Sequence, residues 1–185
     1  MGGFTAYTSS NVFKGGYISE ELVIKIETLG LTPTRIKEMQ FKELAFLLRF
    51  EEGARIAKQY ASYLPMLKIE PTIQPITGSI IKIHLEIEPD FTWRERWHGQ
   101  TLSYWIWVDD GRDILHYEYF LLHNKAMFME EKPSVTFAVP VHRNRAGDIF
   151  YIRCFGDHWV GADTTVPIEI DTSILPSEIS QHTEL

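Results

Sequence analysis

The chain has 185 residues, 44 % hydrophobic and 23 % charged, the proportions of a folded globular protein rather than a disordered or fibrous one. Its 18 Lys and Arg stand against 25 Asp and Glu, a net charge of −7, which excludes a protein whose whole surface serves nucleic acid. A single cysteine excludes an internal disulfide and fits a reducing compartment, and no apolar run approaches the ~20 residues of a membrane span.

Residues 1–16 read as an extended, flexible leader. They lack the basic start and apolar stretch of a secretion signal, and Ala6 stands where a myristoylation motif wants Ser or Thr. Helical punctuation follows. Ser19 before Glu20 and Glu21 is an N-cap with acids in the first turn; Val23, Ile24, Ile26 and Leu29 follow, and Gly30 is the stop. Thr32-Pro33 is a second cap with proline at the first helical position, opening a short helix to about Met39. A third helix is expected over 41–49, with Leu44, Leu47 and Leu48 on one side. A fourth is expected over 52–63, with Ile56, Tyr60 and Tyr63 at i, i+4 and i+7. Four short helices joined by tight turns predict a bundle over 17–65.

After Leu64-Pro65 the period changes. Met66 to Ile73 reads as a first strand. Ile81, Ile83, Leu85 and Ile87 then alternate with Lys82, His84, Glu86 and Glu88, the pattern of a half-buried strand. Leu102 to Val108 and Ile114 to Leu122 flank the turn Asp109-Asp110-Gly111-Arg112 as a hairpin. Val135 to Val141, Asp148 to Phe155 and Thr164 to Ile170 complete about seven strands. That count predicts an immunoglobulin-like or fibronectin type III sandwich over 66–173, with a small barrel as the second reading. The fold class is α+β, with 174–185 a tail or linker. Residues 1–65 carry +1, 66–173 carry −6 and the tail −2, so a polyanion is expected to contact the helical part.

Chemical motifs are sparse. There is no Gly-Lys-Ser/Thr phosphate loop and no Gly-x-Ser-x-Gly elbow. Cys154 lies mid-strand and reads as a buried small residue. His116 is placed within its strand and His123 just past its end, while His142 and His158 are sixteen apart. None of these makes a tight metal-ligand unit. Asp109, Asp110 and Asp113, grouped with Asp157, suit either acid–base chemistry or a hairpin turn. All five tryptophans, Trp93, Trp97, Trp105, Trp107 and Trp159, fall in the strand region, where both core packing and a partner surface call for them. The segment Leu48 to Ala57 has the look of a degenerate helix-hairpin-helix. Backbone N–H groups near Gly53 would face a phosphate, Arg49, Arg55 and Lys58 would help, and Glu51 and Glu52 would oppose it.

Several strings together resemble the Sec sixty-three homology unit of two-cassette, Ski-like DExH-box RNA helicases. They include Gln74-Pro75-Ile76-Thr77, Pro89-Asp90-Phe91-Thr92-Trp93, His98-Gly99, Trp105-Ile106-Trp107-Val108 and His116 to Leu122. Further on come Tyr151-Ile152-Arg153, Gly156-Asp157-His158-Trp159, Ile174-Leu175-Pro176 and His182-Thr183-Glu184-Leu185. The resemblance covers residues 17 to 185. Its family includes the spliceosomal helicase that unwinds paired small nuclear RNAs and the helicase subunit of the activating signal cointegrator complex.

The resemblance implies a helix-hairpin-helix bundle plus a fibronectin type III domain, acting as a non-catalytic accessory unit. ATP hydrolysis in this family belongs to RecA-like domains, and neither a Walker loop nor an Asp-Glu-x-His box is present here. Carried over, Arg49, Gly53, Arg55 and Lys58 become the nucleic-acid side, and Trp93, Trp97, His98 and Trp107 the docking side. Gly78 and His158 stand where relatives often carry arginine, which weakens nucleic-acid contact by the sandwich. Implied partners are the RecA-like motor domains of the same polypeptide, other subunits of a helicase complex and, weakly, single-stranded RNA or DNA. No cofactor, metal or membrane is expected, and the implied setting is nuclear or cytoplasmic. The alternative is a pure protein-interaction scaffold; an enzyme using the Asp/His residues of the hairpin ranks third.

Overall fold

The structure, a computed structural model, describes residues 18–141, 149–159 and 161–169. The expected leader and tail, together with Asp148, Ile170 and His142, lie outside the described residues.

Four helices come first: α1 Glu20–Thr28, α2 Pro33–Glu38, α3 Phe41–Leu48 and α4 Glu51–Ala61. The caps act as their chemistry dictates. Ser19 Oγ accepts from the Leu22 N–H at 3.4 Å and Thr32 Oγ1 from the Arg35 N–H at 3.3 Å. Each such cap contributes about 1 kcal/mol. Gly30, at φ +63°, ends α1 in the left-handed region that favours glycine. The helices bury Leu22, Ile26, Ile36, Leu44, Leu48, Ala54, Ala57 and Ala61 in one shared apolar cluster.

Seven strands follow: β1 Leu67–Thr77, β2 Ile80–Pro89, β3 Thr101–Asp109, β4 Ile114–His123, β5 Ser134–Pro140, β6 Ile149–Gly156 and β7 Asp163–Glu169. They form two antiparallel sheets, ordered β1-β2-β5 and β4-β3-β6-β7. Ile81, Ile83, Leu85 and Ile87 of β2 and Tyr104, Ile106 and Val108 of β3 belong to one core, so both sheets turn an apolar face to the same interior.

The elements differ from expectation in four places. α4 starts one residue earlier and ends two earlier, because the chain turns at Ser62 toward the sheets. β1 runs on to Thr77 through Pro71 and Pro75. It is an edge strand, and prolines four apart direct their missing donors to the same side, which is the unpaired one. β4 includes His123, paired with Thr101, where a position beyond the strand was expected. A four-residue helix, α5 Glu95–His98, lies between Trp93 and Gly99, inside the region read as strands.

Candidate functional site at the helix–sheet junction

The short connection between α4 and β1 is held at every carbonyl. Tyr63 O accepts from His98 Nε2 at 2.8 Å, Leu64 O from the Met66 N–H at 2.7 Å, and Pro65 O from the Tyr104 hydroxyl at 2.9 Å. Met66 O accepts from the Asp90 N–H at 2.9 Å, and Leu67 O from Thr164 Oγ1 at 2.6 Å. Lys37 of α2 reaches the same place, donating to the Asp90 carbonyl and, at 2.8 Å, to its carboxylate. Helices and sheets are thus bolted together rather than strung on a loose tether.

His98 is the centre of this clasp. Only 4 % exposed, it accepts from the Arg94 N–H through Nδ1 at 2.8 Å. An N–H on one side and a carbonyl on the other fix the neutral imidazole with its proton on Nε2. Burial lowers its pKa, only partly offset by the bond to Tyr63. His98, expected on a docking face, is spent inside the chain. Trp93 shares that fate in part: its Nε1 donates to Gly99 O at 3.0 Å, and its ring lies tilted against Phe91 and edge-on to His98.

Beside the clasp opens a cleft of about 500 Å³, between α4 and the segment 94–97. Arg55, Tyr60 and Tyr63 line it from the helix, Arg94, Arg96 and Trp97 from the sheet side, and Glu52 is its one carboxylate. Tyr60 and Trp97 lie nearly parallel with centroids 5.6 Å apart, and Tyr63 meets Trp97 edge-on at 4.7 Å. The Arg94 guanidinium sits 5.2 Å over the Tyr63 ring and donates to its hydroxyl at 3.3 Å. Arg55, expected on a nucleic-acid side, and Trp97, expected on a docking side, therefore share one site.

The remaining residues of the expected nucleic-acid set scatter. Gly53 is buried; a Cβ there would stand 2.4 Å from Phe50 Cδ1 and 3.1 Å from Leu22 Cδ1, so its smallness serves helix packing. Lys58 Nζ donates to Lys37 O at 3.1 Å. Arg49 is exposed and takes a left-handed conformation, φ 49°, at the end of α3. Arg55 forms a forked pair with Glu52, with Nε donating to Oε2 at 2.9 Å. The Arg55 hydrogen bond holds the Glu52 carboxyl below its usual range.

A second surface lies on the outer face of the four-stranded sheet. Trp105 and Trp107 alternate with the buried side chains of β3 and oppose Tyr119 and Tyr117 of β4. Trp107 meets Phe155 edge-on at 4.6 Å, and Tyr117 is 68 % exposed. Spacing alone pointed to Trp107; Tyr117, Tyr119 and Phe155 needed the strand register to join it.

The hairpin offers little chemistry. Asp109 accepts from the Gly111 N–H and holds Arg153 Nε at 2.6 Å, while Asp110 accepts from the N–H groups of Arg112 and Asp113. Asp157, grouped with them by sequence, accepts from Trp105 Nε1 at the opposite end of β3, because β6 runs antiparallel to it. The Cys154 thiol is buried and pushed up to about 12 by desolvation. Among the described residues no three His, Cys, Asp or Glu side chains are placed to hold a metal ion, and no helix is long and apolar enough to cross a membrane.

Fold and junction together define a mixed α+β module: helices clasped onto antiparallel sheets, with a cationic, aromatic cleft at the seam. Residues 14–169 match the family described as the Sec63 Brl domain, and the chain belongs to that family. It is 34 % identical to the activating signal cointegrator 1 complex subunit 3 of Gallus gallus, over 87 % of this chain and 7 % of that protein. It is 35 % identical to the U5 small nuclear ribonucleoprotein 200 kDa helicase of Homo sapiens, over 91 % of this chain and 8 % of that protein. The DExH-box ATP-dependent RNA helicase DExH14 of Arabidopsis thaliana is 31 % identical over 91 % of this chain and 8 % of its own length. The chain thus spans less than a tenth of these relatives. A glycosyl hydrolase family 2 member from Bacteroides cellulosilyticus superposes with a TM-score of 0.39 at 12 % identity, covering 57 % of this chain and 14 % of its own, a likeness that bears on neither fold nor function.

Proposed function

We propose that this chain is a non-catalytic accessory module of a DExH-box RNA helicase. It contacts single-stranded RNA weakly through its helical side and docks on the motor domains or partner proteins through its sheets. The observation that carries this reading is the match of nearly the whole chain to proteins named as helicases. We divide the chain into a helix-hairpin-helix bundle over 17–65 and a fibronectin type III sandwich over 66–173. The strand order β1-β2-β5 and β4-β3-β6-β7 supports the sandwich, and the shared apolar cluster of α1 to α4 supports the bundle. Catalysis belongs, on this reading, to RecA-like domains of the parent polypeptide, in a nuclear or cytoplasmic setting.

The test is fluorescence anisotropy of labelled single-stranded RNA at low and moderate salt, with Arg55→Glu plus Lys58→Glu as the altered protein. Weak binding that falls steeply with salt and is lost in the double variant is expected, because phosphate neutralisation releases counterions. A second reading, a protein scaffold without RNA contact, is favoured by the exposed aromatic band around Trp107 and by the pairing of Arg55 with Glu52. No RNA binding by the folded wild type, together with capture of the motor domains that Trp107→Ala weakens, would establish that scaffold instead.

A further inference from the structure

The cations expected to meet RNA are mostly engaged: Arg55 by Glu52, Lys58 by the Lys37 carbonyl. Those across the cleft are not. Arg96 is exposed and has no acidic partner among the described residues; Arg94 has only the ring and hydroxyl of Tyr63. The cleft's single carboxylate is already neutralised by Arg55. The side chains lining the cleft therefore carry a net positive charge on a chain of net charge −7. Its rings matter equally: Tyr60 and Trp97 are half-buried, leaving apolar ring surface in the cleft. At about 500 Å³ it falls in the range of small-ligand sites, roughly 300–1,000 Å³.

Resting on the RNA-contact reading above, we propose that this seam is a composite single-stranded RNA site. Arg94 and Arg96 hold backbone phosphates, and Trp97 and Tyr60 offer the platform for a base. Guanidinium forks suit phosphate oxygens, and aromatic faces stack any base regardless of sequence. An acidic peptide would use the arginines and leave the rings idle, so the combination favours nucleic acid. The segment 94–97 then belongs to RNA contact rather than to partner docking.

The experiment uses the full chain with Arg94→Gln plus Arg96→Gln, compared with wild type and with Arg55→Glu plus Lys58→Glu. Both seam residues are exposed, and glutamine keeps much of each stem; a thermal melt checks that the fold is intact. Affinity for a single-stranded oligouridylate is expected to fall about tenfold. The slope of log affinity against log salt should shrink by roughly 1.4, about 0.7 for each lost phosphate contact. An abasic oligomer of equal length should bind wild type several-fold more weakly than oligouridylate. Unchanged affinity and slope in the seam variant, with loss only in the helical variant, would overturn the seam while sparing the helical RNA contact. No binding by wild type would overturn both. Binding of polyglutamate as tight as that of RNA at equal salt would assign the cleft to acidic peptides and overturn the proposal.

Discussion

At the scale of single residues, the chain fastens itself together with side chains whose polar atoms are fully spent. Tyr104 is 1 % exposed and gives its hydroxyl to Pro65 O, and burial pushes its pKa well above the ordinary tyrosine value. Tyr104→Phe strips a buried carbonyl of its donor and is expected to cost about 1–3 kcal/mol, read as a lower urea midpoint with unchanged m-value. Tyr117→Phe, at an exposed ring, should stay within about 0.5 kcal/mol. His98 gives a pH signature. Its folded pKa lies below the unfolded value of 6.5, so the unfolded chain binds the proton more readily. The stability from neutral His98 is whole above about pH 6.5 and is lost as pH falls from there through the folded pKa. Melting temperatures measured between pH 7.5 and 5 should therefore drop more steeply for wild type than for His98→Gln. Equal slopes would show that His98 takes up its proton as readily in the folded chain as in the unfolded one.

At the scale of elements, α4 packs through small side chains. Gly53, Ala54, Ala57 and Ala61 are buried along α4, and Gly53 lies under Phe50 and Leu22. Gly53→Val would push two methyls into that contact and should destabilise by about 1–3 kcal/mol, visible as a lower melting temperature before any change in RNA affinity. Most of this element scale was legible in the sequence. Ser19, Thr32 and Pro33 announce helix starts by local hydrogen bonding, and β2 announces itself by strict alternation, because both signals are local. β1 was expected only to Ile73 and runs on to Thr77, since Pro75 is tolerated where the strand lies at a sheet edge. The site was legible only in pieces. Arg55 and Trp97 are 42 positions apart in sequence, and no local pattern says that α4 and α5 face each other across a cleft. The same blindness grouped Asp157 with Asp109, which only the antiparallel register separates.

At the scale of the whole molecule, two apolar cores sit on either side of a junction made of hydrogen bonds, ring contacts and the Lys37–Asp90 pair. With the chain's own carbonyls as acceptors, neither core is expected to melt while the other stands. Calorimetry should show one transition with equal calorimetric and van't Hoff enthalpies. Two resolved transitions would mean that the clasp does not couple them. The five consecutive capped carbonyls of residues 63–67 carry a further consequence. A stretch that reads as Leu-Pro punctuation between two units is the natural place to aim a protease, since cleavage concentrates at exposed, loosely held chain. Here that backbone has to shed His98, Tyr104 and Thr164 before an enzyme can lay it out. Limited proteolysis of the native chain is therefore expected to spare residues 63–67 and to leave the helical and sheet halves joined there.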